Sequence, residues 1–248
     1  MTADRLATTA RTALACLDLT SLNDNDTPAD IDRLCERALG PHGPTAAVCV
    51  WPRFVAQARA WLPAAVRVAA VANFPDGSTD LARALRDTQQ IVDAGGDEVD
   101  VVIPYRELSC GPSLLSEVRR ACEGLTLKVI LETGELRDEA LIRQACAIAL
   151  DAGADFLKTS TGKAKVSATP AAARLLLQAI AKGGHAKVGF KPAGGIRTVA
   201  DAALYIALTA EHLGAVTPQR FRIGASGLLN DIEAVLGGGP SPAPASSY

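Results

Sequence analysis

Short apolar runs rich in β-branched residues recur along the chain and alternate with amphipathic segments. Eight runs of this kind have the sequences "TALACLDL", "TAAVCVW", "RVAAVANF", "EVDVVIP", "LKVILET", "DFLKTST", "KVGFKPAGG" and "FRIGAS". Strands that are apolar on both faces and separated by helices predict a parallel sheet that helices cover. Eight such units predict an α/β chain that closes into a single (β/α)8 barrel, the TIM barrel, over residues 1–236.

Two of the segments between these runs carry clear helix boundaries. Thr27 and Thr169 are each followed by a proline, which is the usual order of a cap residue and a first helical residue. Gly183 is placed to end the second of these helices. An open doubly wound sheet is the structural alternative. Its nucleotide-binding version is weakened because no G-x-G-x-x-G motif opens a helix after the first strand.

The charge and cysteine content of the chain argue against several classes of protein, namely those that bind nucleic acid, a membrane or a metal and those held together by disulfides. The 25 Lys and Arg residues against 27 Asp and Glu give a net charge of -2, and no basic block suggests binding to nucleic acid or a membrane. The 6 cysteines form no C-x-x-C pair, so neither a metal site nor a disulfide framework is expected. The chain shows no signal core and no run of about 18 apolar residues. We therefore expect a cytoplasmic protein whose partners are small molecules.

A lysine ends the sixth predicted strand. In the sequence "DFLKTSTGK" of residues 155–163, Lys158 follows two apolar residues and precedes three hydroxyl residues and a glycine. Burial disfavours an ammonium ion and lowers its pKa, which makes the amine nucleophilic. The alternative for a lone lysine is a side chain that extends to the surface or pairs with an acid.

An internal similarity connects this strand with the fourth one. The sequences "DAGGDEVD" (93–100) and "DAGADFLK" (151–158) both run from a helix end through glycine into a strand. Aligning their shared aspartates places Asp100 opposite Lys158, and alternate strands of a TIM barrel contribute side chains to the same layer. The alignment predicts that the carboxylate and the amine meet in one cavity. The alternative is that both sequences are only a common helix-to-strand connection.

Further charged residues lie on other predicted strands. Lys191 is in "GFKPAGG", where repulsion between two lysines disfavours the ammonium of whichever is less solvated and less well paired. A neutral lysine attacks a carbonyl to form a Schiff base, which permits an adjacent carbon–carbon bond to break or form. Asp18 in "CLDLT" and Asp100 both lie on predicted strands, where burying a carboxylate without a partner costs free energy. Acid–base catalysis is one explanation for their presence there. An ion pair with either lysine is another.

Glycine-rich loops follow the last three predicted strands. They are "STGK" (160–163), "AGG" (193–195) and "GASG" (224–227). Glycine lets backbone N–H groups approach an anion closely, and the loops after strands seven and eight of such barrels often hold phosphate. Each loop alone is compatible with a simple turn. Their succession after neighbouring strands predicts a phosphate site.

Taken together, these motifs resemble one enzyme family. The sequences "LDLTSLNDNDT", "NFPDG", "DEVDVVIPYR", "LKVILETGEL", "DFLKTSTGK", "VGFKPAGGIRT", "RIGAS" and the terminal "SSY" are similar to those of deoxyribose-phosphate aldolases. The resemblance covers nearly the whole chain. It implies a class I aldolase on a TIM barrel that uses neither a metal nor an organic cofactor. Such an enzyme interconverts 2-deoxy-D-ribose 5-phosphate with acetaldehyde and D-glyceraldehyde 3-phosphate.

The resemblance also implies roles for individual residues. Lys158 matches the Schiff-base lysine, Lys191 the lysine that tunes its pKa, and Asp100 the acid that relays protons. Asp18 matches a further acid of the pocket. Contacts with substrate and phosphate are implied for Thr161, Gly162, Lys163, Gly194, Gly195, Ser226 and Gly227. Close members of the family carry two serines where this chain has Ser226 and Gly227, which predicts that one hydroxyl contact to phosphate is lost.

The segment 237–248, "GGGPSPAPASSY", has the composition of a flexible tail. It ends in Tyr248, and a flexible segment of this length spans roughly 20 Å, enough to fold over the barrel mouth. We predict that the Tyr248 phenol moves a proton at the methyl carbon of the acetaldehyde enamine. A tail without a catalytic role is the alternative.

Two other functions remain open at this level. A different lysine-dependent aldolase or a transaldolase would use Lys158 with a donor longer than acetaldehyde. A non-catalytic phosphate-binding barrel would need the glycine loops but no buried lysine. The oligomeric state is also left open, with a homodimer as one alternative.

Overall fold

A computed structural model describes residues 2–214 and 216–238 of the chain. Residues 12–15 of the first predicted run belong to the helix Ala3–Ala15, while eight strands overlap the eight predicted runs. The strands are β1 (Leu17–Thr20), β2 (Ala47–Val50), β3 (Arg67–Ala72), β4 (Glu98–Val102), β5 (Thr126–Ile130), β6 (Phe156–Lys158), β7 (Gly189–Lys191) and β8 (Ile223–Ala225).

Helices alternate with the strands. They are α1 (Ala3–Ala15), α2 (Pro28–Ala38), α3 (Val55–Trp61), α4 (Leu81–Asp93), α5 (Gly111–Ala121), α6 (Thr133–Leu136), α7 (Glu139–Asp151), α8 (Pro170–Lys182), α9 (Val199–Leu213) and α10 (Leu228–Leu236). Short 3-10 turns at Pro52–Phe54 and Leu108–Cys110 precede α3 and α5. Helix α1 lies before the first strand and packs against α9 and α10.

The strands form one parallel sheet that closes on itself. The sheet order is β7-β6-β5-β4-β3-β2-β1-β8. Between β7 and β8, the Phe190 amide donates to the Arg220 carbonyl at 2.9 Å, and the Gly224 amide donates to the Pro192 carbonyl at 2.9 Å. Two parallel bridges, which pair Phe190 with Phe221 and Ala193 with Gly224, lie at the same seam. The predicted (β/α)8 barrel is therefore confirmed, and the open sheet is excluded.

The predicted helix boundaries also agree with the structure. Thr27 and Asp30 form a capping box at the start of α2, in which each side chain accepts from the backbone N–H of the other residue. The Thr169 hydroxyl accepts from the Ala172 amide at 3.2 Å at the start of α8, and Gly183 follows the last residue of that helix. Each cap stabilises its helix by about 1 kcal/mol, which fixes where these connections leave the barrel.

The two faces of the strands differ in chemistry. Leu19, Val101 and Leu157 belong to the hydrophobic core between the strands and the helices. Residues that alternate with them, Asp18 and Lys158 among them, point into the barrel. Branched apolar side chains usually fill the interior of such barrels. Here charged side chains occupy part of that space.

The described chain continues only slightly beyond the barrel. Helix α10 ends at Leu236, and Gly237 is its C-terminal cap residue. The predicted tail begins at this point, and its residues 239–248, with Tyr248, lie outside the described residues. Among the helices of residues 2–214 and 216–238, none has the length and apolar character needed to cross a membrane.

Candidate active site

Seven charged side chains lie together in the barrel interior, and four of them are residues that the sequence predicted for the site. The three carboxylates and four cations are all buried: Asp18, Glu98, Asp100, Lys128, Lys158, Lys191 and Arg222. Asp18, Asp100, Lys158 and Lys191 are the predicted members of this cluster. Because charges of this kind are costly to bury without partners, their contacts decide which of them stay ionised.

Asp100 is the shared acceptor of the three lysines. Its Oδ2 atom lies 2.8 Å from Lys158 Nζ and 2.8 Å from Lys191 Nζ, and its Oδ1 atom lies 2.7 Å from Lys128 Nζ. Burial by itself would raise the pKa of Asp100, but these three ammonium groups hold it well below its usual range. Asp100 is therefore a fixed carboxylate at the centre of the cluster.

Asp18 binds the cations on the opposite side of the barrel. Its Oδ2 atom is in close contact with Lys191 Nζ, and its Oδ1 atom accepts from Arg222 Nη1 at 2.6 Å. Burial opposes ionisation of Asp18, yet Lys191 and Arg222 lower its pKa below the ordinary value. Lys191 thus has two carboxylate partners, and although burial lowers its pKa, Asp100 and Asp18 raise it above the normal value.

Lys158 differs from the other two lysines in its pairing. Its only carboxylate partner among the described residues is Asp100, whereas Lys128 contacts Glu98 at 2.5 Å and Asp18 at 3.5 Å as well. Burial lowers the pKa of Lys158, and the Lys191 ammonium lowers it further, against the attraction of Asp100. The Lys158 side chain is 4% exposed while Lys191 is 0% exposed. Of the three lysines in this cluster, Lys158 is therefore the one with a lowered pKa and the one with a measurable exposed surface.

The strand register explains how Asp100 and Lys158 meet. Asp100 pairs with Lys128 of β5, and Lys128 pairs with Phe156 of β6, so Lys158 is two residues beyond the direct partner of Asp100. In an eight-stranded barrel of this class the stagger is about one residue per strand. A shift of two residues over two strands therefore brings both side chains to the same height. The meeting that the sequence alignment predicted is confirmed by the distance between them.

Sequence reasoning missed three members of the cluster. Lys128 lies inside the predicted run "LKVILET", Glu98 is two residues before Asp100, and Arg222 is two residues before Gly224. Glu98 binds Arg222 through two pairs of atoms at 2.7 and 3.2 Å. The period of two along a strand places Glu98 on the same face as Asp100, so this signal was present in the sequence.

The predicted phosphate loops lie side by side at the mouth. The Ser160 hydroxyl donates to the Ala193 carbonyl at 2.8 Å, and the Ala193 amide donates to the Thr159 hydroxyl at 3.1 Å. Gly194 has a φ of +80°, and a Cβ atom there would lie 2.5 Å from Ser167 Oγ. Only glycine fits at this close approach, so Gly194 is required by the packing of the two loops and by its left-handed backbone. The predicted binding of phosphate by these loops stays a prediction.

The remaining loop residues line the same opening. Gly162, Lys163, Gly195, Ser226 and Gly227 are exposed there. Lys163 Nζ crosses from the loop after β6 to the loop after β1 and donates to the Leu22 carbonyl at 2.7 Å. A Cβ atom at Gly227 would meet no atom within 4 Å, so the position has room for a larger side chain.

Glu132 is a further residue of the mouth that the sequence analysis did not identify. It lies just beyond β5, is 1% exposed, and has a left-handed backbone with φ 53° and ψ 56°. Its Oε2 atom accepts from the Thr161 amide at 3.2 Å and from the Thr161 hydroxyl at 2.5 Å. Burial raises the pKa of Glu132. No compositional signal marks this glutamate, since its importance depends on where β5 ends.

Comparison with known proteins identifies the family. A model of the DeoC/LacD family aldolases matches residues 12–233, which is most of the chain. The chain belongs to this aldolase family. A deoxyribose-phosphate aldolase from Agrobacterium fabrum is 50% identical over 250 residues, and the match covers 96% of each chain. The resemblance inferred from the sequence motifs is therefore confirmed, and the protein is an enzyme.

Solved structures of similar proteins have the same fold as this aldolase. The apo form of a Toxoplasma gondii protein assigned as a deoxyribose-phosphate aldolase superposes with a TM-score of 0.87 at 26% identity, over 96% of this chain and 99% of that chain. A deoxyribose phosphate aldolase from Aeropyrum pernix, described as a unique tetramer, gives a TM-score of 0.74 at 27% identity, over 94% and 98% of the two chains.

Proposed function

We propose that this aldolase reversibly cleaves 2-deoxy-D-ribose 5-phosphate to acetaldehyde and D-glyceraldehyde 3-phosphate through a Schiff base on Lys158. The observation that carries the proposal is the pairing of Lys158, which has one carboxylate partner among the described residues and a lowered pKa beside two better-paired lysines. The likeness to the Agrobacterium fabrum enzyme supports the choice of substrate.

The first steps need an uncharged amine. The neutral Lys158 Nζ adds to the aldehyde carbon C1 of the sugar phosphate, and the resulting carbinolamine loses water to give a protonated imine. Lys191 assists because its positive charge, stabilised by Asp18 and Asp100, disfavours a second ammonium at Lys158. Asp18 therefore acts through Lys191 in this scheme.

Cleavage then moves electrons into the imine. The C3 hydroxyl loses its proton, the C2–C3 bond breaks, and its electron pair converts the imine to an enamine as D-glyceraldehyde 3-phosphate leaves. Asp100 is ionised and lies 2.8 Å from Lys158 Nζ, so it is the base that takes this proton through water. A proton added to the enamine carbon and hydrolysis of the imine release acetaldehyde and restore Lys158.

The phosphate is assigned to the loops after β6, β7 and β8. Backbone N–H groups at Gly162 and Gly195 can approach a phosphate closely because these residues carry no Cβ atom, and Lys163 adds a cation. Gly194 shapes the loop, since its own N–H donates to the Gly224 carbonyl at 3.3 Å. Thr161 and Ser226 add hydroxyl groups. Gly227 supplies only its backbone amide.

Tyr248 is proposed to protonate the methyl carbon of the enamine. Its position lies outside the described residues, and the proposal rests on the terminal "SSY" and on the length of the segment that follows α10. In this proposal, the phenol of Tyr248 transfers the proton to the methyl carbon, because Asp100 by itself is not expected to carry out that transfer.

Two measurements on the purified protein test the proposal. Acetaldehyde should appear when the protein is mixed with 2-deoxy-D-ribose 5-phosphate, and borohydride reduction in the presence of acetaldehyde should add a two-carbon group to Lys158. Lys158→Met should abolish both signals, while Lys182→Met, at the exposed end of α8, should keep them. A longer donor fragment among the products would favour a different lysine-dependent aldolase. A label on Lys191 alone would reverse the assignment of the two lysines.

A further inference from the structure

Glu132 is a buried acid at the mouth that the proposed mechanism does not use. Its Oε2 atom accepts both hydrogen bonds from Thr161, whereas its Oε1 atom is buried and has no hydrogen-bond partner among the described residues. Buried carboxylate oxygens almost always accept a hydrogen bond from some donor. The free oxygen is therefore an acceptor that the rest of the described protein does not satisfy.

The backbone of Glu132 supports a specific use of this side chain. A glutamate in the left-handed region is uncommon, since glycine or asparagine occupies it with less strain. Residues held in such conformations cluster at binding and catalytic sites. Here the unusual backbone turns the carboxylate from the end of β5 towards Thr161, at the side of the mouth that leads to Gly162.

The position of Glu132 lies between the two ends of the proposed substrate. The residues on both sides of Glu132 pair with the end of β6, since the Leu131 amide donates to the Lys158 carbonyl at 3.0 Å and the Thr133 amide donates to the Thr159 carbonyl at 2.9 Å. Thr161, which Glu132 holds, is followed directly by Gly162 of the phosphate loops. In the proposed complex, carbon C1 is bonded to Lys158 and carbon C5 carries the phosphate, so carbons C3 and C4 lie between them.

We propose that Glu132 Oε1 accepts a hydrogen bond from the C4 hydroxyl of 2-deoxy-D-ribose 5-phosphate, an inference that rests on the proposed function. The C3 hydroxyl loses its proton during cleavage, and Asp100 serves that step. The C4 hydroxyl keeps its proton and needs an acceptor. Glu132 thereby makes the enzyme select an aldehyde that carries a hydroxyl group next to its carbonyl carbon.

Glu132→Gln separates this role from simple support of Thr161. The amide oxygen retains the two bonds from Thr161, while the amide NH2 replaces the free oxygen and cannot accept from a hydroxyl. The kcat/KM for acetaldehyde release is measured with 2-deoxy-D-ribose 5-phosphate and with its 2,4-dideoxy analogue, which lacks the C4 hydroxyl. Comparing the ratio of the two values between variants cancels differences that belong to the substrates alone.

The expected result is a change in selectivity. The wild-type protein should prefer the substrate with the C4 hydroxyl by about 10-fold or more, and Glu132→Gln should remove most of this preference by losing activity only towards that substrate. Thr133→Val is the matched control, because it removes a neighbouring buried hydroxyl that also has no partner among the described residues. The control should keep the wild-type ratio.

Several outcomes would overturn the inference. An equal loss with both substrates would give Glu132 only a structural role through Thr161, and no loss with either would mean that water alone satisfies Oε1. Borohydride trapping at Lys158 in Glu132→Gln tests the proposed function separately, since that trapping does not require the C4 hydroxyl.

Discussion

Lys158 and Lys191 lie in register on β6 and β7, and each ammonium nitrogen lies 2.8 Å from the same oxygen of Asp100. Lys191 has a second carboxylate partner in Asp18, which Lys158 lacks. The better-paired lysine keeps its proton, so the positive charge of Lys191 acts on Lys158 from a fixed position. The difference in pKa between these two neighbouring lysines therefore arises from the additional contact of Lys191 with Asp18.

The pH dependence of cleavage should report this arrangement. Lys191→Met removes a like charge, which raises the pKa of Lys158 and moves the acidic limb of kcat/KM to higher pH. Asp100→Asn removes the carboxylate that favours the Lys158 ammonium, so its limb should move to lower pH. Both variants should lower kcat by about 100-fold or more, since Lys191→Met leaves Lys158 more fully protonated and Asp100→Asn removes the proposed base. Shifts of both limbs in the same direction would contradict this assignment of charges.

Lys128 should matter for stability because it is fully buried among carboxylates. Lys128→Met leaves Glu98 and Asp100 with less compensation, and we expect the free energy of unfolding to fall by about 3–5 kcal/mol. Arg33→Ala removes an ion pair with Asp30 whose arginine side chain is 65% exposed, so the loss there should be far smaller. Urea unfolding of both variants makes the comparison, and equal losses would count against a stabilising role of the interior cluster.

Gly194 and Gly195 form a matched pair for testing the loop after β7. Both have a φ of +80°, but only at Gly194 would a Cβ atom meet Ser167. Gly195→Ala should therefore cost about 1–2 kcal/mol for the left-handed backbone alone, and Gly194→Ala should cost clearly more. Thermal or urea unfolding measures both. A larger effect at Gly195 would mean that the loops do not approach each other in this way.

Gly227 has room for the serine hydroxyl that the family resemblance implies at this position. Gly227→Ser should lower the KM for 2-deoxy-D-ribose 5-phosphate a few-fold, because a serine at the open position adds a hydrogen bond to the proposed phosphate site. The kcat/KM for unphosphorylated 2-deoxy-D-ribose is the control and should not change. An equal gain with both sugars would argue against a phosphate contact at this loop.

Tyr248 is tested by separating trapping from proton exchange. Tyr248→Phe should leave borohydride trapping at Lys158 intact, since imine formation does not need the phenol. Enzyme-catalysed uptake of deuterium into the acetaldehyde methyl group should slow by about 10-fold or more if the phenol moves that proton. Uptake at the wild-type rate would leave this step to Asp100 and water.

The alternation of apolar strands with capped helices predicted the barrel because each signal is local. The runs around Leu19, Val101 and Leu157 are apolar on the face that packs against the helices, and Thr169 with Pro170 marks a helix start within a few residues. The meeting of Asp100 and Lys158 was also predictable, because the same connection leads into both strands. Local sequence patterns could not predict which other charged residues, such as Lys128 and Arg222, form ion pairs with these side chains.

The sequence by itself predicted the number of strands, the starts of α2 and α8, the end of α8 and the two lysines proposed for the chemistry. Only the tertiary structure decided which of these lysines has the lowered pKa, because that depends on contacts between residues far apart in the chain. Asp18 reaches Arg222 across 204 positions and Lys191 across 173, and both contacts form only when β8 closes against β1 and β7. The Glu132 side chain is a second feature that only the tertiary structure decided. Its Oε1 atom has no partner among the described residues because β5 ends beside the loop that contains Thr161. A pKa depends on distance and burial in space, and neither quantity is contained in the order of residues.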